Sequence, residues 1–239
     1  MRGPELIRQL ELLPIKDLNR AAQTPVVAYF VLVLCILAYL WQIGPGGGVD
    51  RSAFSLGLIP AVVTGRAVLA HELHLVPPWA TLLTSMFLHG GLLHLASNLL
   101  YLWIFARNVE DRLGHVRFAL LYLAAGLAAA GMQILPDPNS TVPMIGASGA
   151  ISGVLGAYFM LFPRARVVVL IPISFMLLHE IRAAWLLAIW FAFQLWSALM
   201  EPAGAGVAWW AHVGGFVTGA LLVMPLSHRR LWHGRGPWG

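Results

Sequence analysis

The sequence has few charged residues and a single cysteine, and both shortages narrow the classes of protein that it can encode. Only 10% of its 239 residues are charged, whereas 59% are hydrophobic, and the mean hydropathy is +0.77. A soluble domain of this length needs a more polar surface, so the composition indicates a membrane protein. The lone Cys35 excludes a disulfide within the chain, and its place in an apolar run indicates a small buried side chain.

Three further absences bear on function. The interiors of the apolar runs lack the carboxylates and arginines that ion and proton transporters carry within their spans. There is no internal repeat of the kind that underlies many secondary transporters. The HExxH motif of zinc proteases is missing, and HELH at 71–74 has one residue too few to place both imidazoles on one helical face. The residue types alone would allow a zinc site made of His89, His94 and His212. No other feature of the sequence indicates a metal or an organic cofactor.

Apolar runs of about 17 to 25 residues can cross a bilayer as helices. The chain has about six such runs, at 26–43, 92–109, 118–135, 148–162, 181–200 and 208–226. We therefore predict an all-α membrane protein with a six-helix bundle over 26–226, a leader at 1–25 and a short basic tail at 227–239. The first run lacks a following small-residue cleavage site, which predicts that it is retained as a span.

Two other segments connect these runs. The loop that begins at Gly44 and continues past Pro78 has glycines and prolines at both ends, and we expect part of it to lie in the outer interface. The apolar run at 167–178 is too short to cross the bilayer. We expect it to lie along the inner surface or to extend a helix.

The basic residues predict the orientation. If the N-terminus is cytoplasmic, that side carries 13 of the 15 Lys and Arg residues, and only Arg51 and Arg66 lie outside. This asymmetry predicts that both termini are cytoplasmic. The same basic residues account for the sequence pI near 10.0. A nucleic-acid-binding protein would need a basic face outside the bilayer, and the sequence does not indicate one.

The fourth run begins with a serine among glycines, Gly146-Ala147-Ser148-Gly149. Counted from Pro163 at the cytoplasmic end, Ser148 lies about 22 Å into the bilayer at 1.5 Å per residue. The same calculation from Leu226 places His212 at about 21 Å. A hydroxyl and an imidazole are therefore predicted at matching depth, roughly 8 Å below the outer face of a hydrocarbon core about 30 Å thick.

Small residues predict that these two spans pack closely. Gly149, Gly153 and Gly156 share one helical face after Ser148, and Gly215 and Gly219 share one after His212. Such faces let helices touch backbone to backbone in lipid. By themselves these glycines, with Gly146, indicate helix packing only.

A third polar cluster lies in FLHGGLLHLASNLL. His94 and Asn98 are four residues apart and share a helical face, whereas the Gly90-Gly91 pair is expected to break the helix and leave His89 in a turn. Each residue alone is more typical of an interhelical hydrogen bond. Together they predict a polar pocket open toward the outer side.

The chain resembles the rhomboid intramembrane serine proteases over nearly its whole length. The resemblance rests on PIKDLN, LTSMFLHGGLLHLASNLL, NVEDRLGHVRF, GASGAISGVLGAY and AWWAHVGGFVTG, in the family's order and spacing. It implies that Ser148 is the nucleophile and His212 the general base. It also implies that His94 and Asn98 stabilise the oxyanion and that His89 has a supporting role.

The resemblance further implies that Glu110 and Gly114 of EDRLG are structural. Two features depart from it. The Trp-Arg pair of the first outer loop in many members is not evident, and Ser152 stands where some members carry an aromatic residue that stacks on the base. The histidine would therefore need another packing partner.

The chemistry can be stated from the residues. A serine hydroxyl needs an adjacent base, and an imidazole is mostly neutral at pH 7 and can take its proton. Because the spans offer no carboxylate to orient the base, we expect a Ser-His dyad held by helix packing. Ser148 opens a helix, so free N–H groups face the developing oxyanion, with Asn98 and His94 adding donors.

The expected substrates are other membrane-spanning proteins, cut near the outer end of a single-pass segment where small residues let the helix unwind. The alternative is a catalytically inactive rhomboid-like protein that binds membrane helices. The bilayer is the other expected partner, and the oligomeric state is not predicted. The absence of a transit-peptide pattern and the Ala/Gly/Arg-rich composition favour a bacterial inner membrane.

Overall fold

The computed structural model describes residues 13–19, 21–171, 177–200 and 206–227, and these form a mostly helical fold. The helices are α1 (Val26–Ile43), α2 (Val49–Leu56), α3 (Pro60–Val63), α4 (Thr81–Thr84), α5 (Leu92–Leu113), α6 (His115–Ile134), α7 (Ser148–Leu161), α8 (Ala183–Met200) and α9 (Trp209–Leu226). Short 3-10 turns lie at His71–Leu73, Pro78–Ala80 and Ser85–Phe87. The strands are β1 (Leu13–Asp17), β2 (Arg166–Ile171) and β3 (Leu177–Arg182).

Helices occupy all six predicted runs, but they differ in length. Within the described residues four helices, α1, α6, α8 and α9, are long and apolar enough to cross a membrane. A fifth candidate is the pair formed by His71–Phe87 and Leu92–Leu113, which is bent by 76°. This bend confirms the predicted helix break at Gly90-Gly91. The helix α7 has only 14 residues, so six full spans remain a prediction.

The short helix α7 lies at the centre of the bundle. Eleven of its 14 residues are buried, and it packs against α5, α6 and α9. The helix α1 is peripheral, because only one stripe that includes Ala28, Val31 and Cys35 is buried, while Phe30 and Leu37 are exposed. Such a one-sided stripe suits a helix whose other face contacts lipid. The burial of Cys35 agrees with its predicted role as a small apolar side chain.

A three-stranded antiparallel sheet covers the end of the bundle opposite Ser148, and the sequence analysis predicts no strand there. Its order is β1-β2-β3, with β1 contributed by the predicted leader. The prediction that 167–178 could extend a helix is wrong for its described part, because β2 pairs with both neighbours. Alternate valines explain the strand, since Val167 and Val169 are fully buried between half-exposed neighbours. Residues 172–176 of this run lie outside the described residues.

Glu110 joins three helices, as its predicted structural role requires. Its carboxylate accepts hydrogen bonds from the N–H groups of Val27 and Ala28, both at 2.8 Å, and it contacts His115 Nδ1 at 2.6 Å. It therefore satisfies free amides in the first turn of α1. Gly114 separates α5 from α6 at φ +77°, a left-handed conformation that favours glycine. Of the predicted tail at 227–239, only Ser227 lies within the described residues.

Candidate active site

Ser148 and His212 meet at the interface of α7 and α9. The hydroxyl Oγ of Ser148 lies 2.9 Å from Nε2 of His212, within hydrogen-bonding distance. The two residues are 64 positions apart in the chain, so their contact is a product of helix packing. The predicted equal depth of the two side chains matches this contact.

Glycines make the close approach of α7 and α9 possible. A Cβ atom added at Gly215 would overlap the carbonyl oxygen of Gly149, and one added at Gly219 would overlap that of Gly153. A Cβ at Gly156 would overlap the carbonyl oxygen of Phe216. The backbones of α7 and α9 therefore touch directly along the stripe that the sequence singles out.

The segment before Ser148 is held by backbone hydrogen bonds to the preceding loop. Leu58 and Met144 exchange two N–H to carbonyl bonds, at 3.0 and 2.7 Å, and the Gly146 N–H donates to the Ser85 carbonyl at 2.9 Å. Gly146 has φ +135°, and a Cβ there would lie 2.9 Å from the His94 ring. Glycine at 146 thus satisfies both a backbone and a space requirement.

His94 and Asn98 face the cavity in which Ser148 lies. Nδ1 of His94 accepts a hydrogen bond from the Gly90 N–H at 3.2 Å, so in this tautomer Nε2 carries the proton and is a donor. This edge of the ring faces Gly146, two residues before the serine. One N–H of the Asn98 amide donates to the His94 carbonyl at 2.9 Å, which leaves its second N–H for the cavity.

His89 is fully buried and does not line that cavity. Its ring packs edge-on against His94, with 5.3 Å between the centroids, and its Nδ1 contacts the Phe87 carbonyl at 3.1 Å. Gln42 at the end of α1 fixes its backbone, accepting from the His89 N–H at 2.9 Å and donating to its carbonyl at 3.2 Å. His89 therefore lies behind His94, outside the cavity lining, and its supporting role stays a prediction.

Gln194 is a site residue that the sequence analysis missed. Its Oε1 lies 2.7 Å from Nδ1 of His212, on the opposite side of the ring from Ser148. The signal available in the sequence is a lone amide within an apolar run. The group in contact with Nδ1 of the imidazole is thus a neutral amide.

Aromatic rings from two helices supply the packing partner that His212 needs in place of residue 152. Trp190 of α8 lies 6.1 Å from the imidazole between centroids, and Trp209 of α9 lies edge-on at 6.0 Å. Ser152 points back along its own helix, where its hydroxyl donates to the Ser148 carbonyl at 2.7 Å. The departure from the family pattern at 152 is therefore compensated by residues from elsewhere in the fold.

The site opens into a cavity of about 1070 Å³ that is lined by Ser148, His212, His94, Asn98 and Gln194 among others. A nucleophile with an adjacent base, helix N–H groups and further donors is the set that acyl transfer requires. In the described part of the chain, no three His, Cys, Asp or Glu residues form a group that could hold a metal ion. His89, the third member of the possible zinc set, lies outside the cavity lining.

Comparison with known proteins agrees with this architecture. A family model described as a rhomboid domain matches residues 77–229, more than half of the chain. Relatives include the rhomboid protease GluP of Bacillus subtilis (47% identical over 33% of this chain) and RHOMBOID-like protein 5 of Arabidopsis thaliana (36% over 41%). Another is the mitochondrial rhomboid protein 1 of Saccharomyces cerevisiae (30% over 59%). These matches span 15%, 32% and 40% of the respective relatives. The chain belongs to the rhomboid family of integral membrane proteins.

Proposed function

We propose that the chain is an intramembrane serine endopeptidase that hydrolyses peptide bonds in or near transmembrane segments through a Ser-His dyad. The observation that carries the proposal is the 2.9 Å contact between Ser148 Oγ and His212 Nε2 at the N-terminus of α7. Family membership supports it, and the name of the B. subtilis relative is that of a protease.

The proposed reaction uses only side chains and backbone groups of the site. Ser148 Oγ attacks the substrate carbonyl carbon while Nε2 of His212 accepts its proton. The developing oxyanion is stabilised by free N–H groups in the first turn of α7 and by donors from His94 and Asn98. The imidazolium then protonates the leaving amine, and water attacks the acyl-enzyme with His212 again as the base.

The proposed substrates are single-pass membrane proteins, cut near the outer end of the segment. Backbone amides within a membrane helix are masked by their own hydrogen bonds, so a bond must be unwound before it can be attacked. The cavity lies at the end of α7 where Ser148 begins the helix. Small helix-destabilising residues in the substrate are therefore expected at the cleavage site.

The proposal is tested by cleavage of a fluorescent single-pass substrate in liposomes that contain the purified chain. Native protein is expected to cut in the presence of EDTA, whereas Ser148→Ala and His212→Ala should reduce the rate to background. Thermal unfolding in detergent checks that both variants fold. The alternative, an inactive protein that binds membrane helices, requires instead that the native chain binds a panel of such substrates and cuts none.

We also propose a bacterial inner membrane location, with both termini cytoplasmic. The support is the placement of 13 of the 15 Lys and Arg residues on one predicted side, although several relatives are mitochondrial by name. Single cysteines introduced into a Cys35→Ala background test the orientation. A label that cannot cross membranes should modify a cysteine at residue 66 from outside intact cells, and a cysteine at residue 166 only after lysis.

A further inference from the structure

We propose that Gln194 is the positioning residue of the base, holding His212 in the tautomer and ring orientation that Ser148 requires. The inference rests on the proposed function and adds a third member to the dyad. It starts from the contact between Gln194 Oε1 and His212 Nδ1 at 2.7 Å, which is shorter than the contact of the ring with the serine at 2.9 Å. The imidazole is thus held at both nitrogens.

The chemistry of the two ring nitrogens determines the direction of these bonds. A neutral imidazole has one N–H donor and one acceptor nitrogen. The amide oxygen of Gln194 can only accept, so the proton of His212 lies on Nδ1. Nε2 is then left with its lone pair toward the Ser148 hydroxyl, as a base must be. An amide turned the other way would donate to Nδ1 and leave Nε2 protonated and unable to act.

Within the ranges that the structure describes, Gln194 is the side chain whose hydrogen bond reaches Nδ1 of His212. Ser148 is on its opposite side, and the aromatic rings of Trp190 and Trp209 contact its faces and edge. On α6, Gln133 Oε1 accepts from the Ala211 N–H at 3.1 Å, which fixes the backbone of α9 beside the ring. Among the described residues, His94 of α5 is the titratable ring that interacts electrostatically with His212.

Burial keeps the Gln194 amide in place. Gln194 is 3% exposed and belongs to the short polar part of α8, together with Ser197 one turn later, which is 5% exposed. An amide at this depth is stabilised by a hydrogen-bond partner, and His212 supplies one. The bond from Gln194 also connects His212 to α8, whereas the glycine contact connects its helix only to α7.

Two substitutions separate a positioning role from a packing role. Gln194→Met keeps the volume and removes the acceptor, and Gln194→Glu keeps the acceptor and adds a charge. For Gln194→Met we expect kcat to fall by about tenfold or more with KM changed by less than about twofold, since part of the general-base contribution is lost. Ile189→Met is the matched control, because Ile189 lies on the same helix, is exposed and does not line the cavity; it should retain native kinetics.

The pH dependence of kcat/KM distinguishes the two roles, because it should change only if Gln194 positions His212. A carboxylate beside Nδ1 stabilises the imidazolium, so Gln194→Glu should retain more activity than Gln194→Met at neutral pH. The acidic limb of its kcat/KM profile should move to higher pH. Equal losses in both variants with an unmoved limb would overturn the proposal.

A tautomer measurement tests Gln194 even if the native chain cuts nothing. The ¹⁵N chemical shifts of His212 distinguish a protonated Nδ1 from a protonated Nε2 in detergent-solubilised protein. We expect Nδ1–H in the native chain and a mixture in Gln194→Met, with thermal unfolding showing that the variant folds. An unchanged tautomer in Gln194→Met would overturn the positioning role, whereas absence of cleavage with the expected shifts would count against the proposed function alone.

Discussion

Asp17 and Tyr158 join the predicted leader to the central helix of the bundle. The carboxylate of Asp17 accepts a hydrogen bond from the phenol of Tyr158 at 2.6 Å, and the amide of Asn108 donates to the same oxygen at 2.5 Å. Tyr158 belongs to α7, the helix that begins with Ser148. The strand β1 is therefore anchored by side chains as well as by its pairing with β2.

Asp17 is expected to make stability depend on pH. Burial raises the pKa of the Asp17 carboxyl above its ordinary 3.8, against the lowering effect of its hydrogen bonds. Its contribution to the free energy of unfolding is then full below pH 3.8 and is lost as pH rises through the raised pKa. Asp17→Asn cannot titrate, so its stability relative to the native chain should increase across that window.

Thermal unfolding in detergent between about pH 4 and pH 8 measures this difference, since the other groups titrate in both proteins. Lys16→Gln changes the exposed neighbour of Asp17 and should give a curve parallel to that of the native chain. A constant difference between Asp17→Asn and the native chain would contradict the expectation.

Gly219→Ala should destabilise the bundle and slow cleavage together. The added methyl group overlaps backbone at Gly153, so the two helices must separate, at a cost of about 1–3 kcal/mol. Gly131→Ala is the matched control, because a Cβ at this helical glycine meets nothing within 4 Å. Unfolding by denaturant and initial cleavage rates would compare the two, and equal behaviour would disprove the tight contact.

Trp190→Ala should slow cleavage, because the His212 ring loses a packing partner and its orientation becomes less fixed. The ring of Trp190 contacts both His212 and Phe216, with 6.1 Å between centroids in each case, and such contacts contribute about 0.5–1.5 kcal/mol. We expect a several-fold fall in kcat. Trp185→Ala removes an indole that is 64% exposed on the same helix and should leave kcat unchanged, so equal losses would assign the effect to α8 as a whole.

Asn98→Ala should lower kcat by about 10²–10³ if its free N–H reaches the oxyanion. Ser97→Ala is an internal control, since the Ser97 hydroxyl and the Asn98 amide donate to the same His94 carbonyl, at 3.0 and 2.9 Å. Each variant loses one such bond, but only Asn98 has a second N–H to offer. Steady-state kinetics should therefore show a kcat effect at 98 and little at 97.

The helical part of the fold could be predicted because each helix carries its own signal. A long apolar run must form a helix in lipid, where the backbone has no other hydrogen-bond partner, and the glycine stripes of α7 and α9 are visible as spacing. The meeting of Ser148 with His212 is predicted by two depth estimates together with the glycine faces that begin at these residues. Both features depend on distances along single helices.

The sheet and Gln194 could not be predicted in this way, because each depends on contacts between distant segments. The valines of β2 form a strand by pairing with the leader on one side and with β3 on the other. The β-branched residues of this run favour a strand, but a short continuous apolar run does not by itself exclude a buried helix or indicate which segments it pairs with. The amide of Gln194 acquires its role only through the rotation of α8 that turns it toward His212.

The pairing of Leu58 with Met144 fixes the backbone of the segment that leads to Ser148 through main-chain hydrogen bonds, independently of the side chains. Its two hydrogen bonds use only backbone groups, so the donors and acceptors do not depend on the side chains, although the fully buried Leu58 must be replaced by an apolar residue of similar size. Proline is the exception, because it has no N–H to donate, and an inserted residue would shift the pairing register. The exposed positions of the same loop, such as Val68 and Leu75, can therefore vary in side-chain chemistry while the backbone pairing continues to hold Ser148, which makes them suitable places to engineer new contacts.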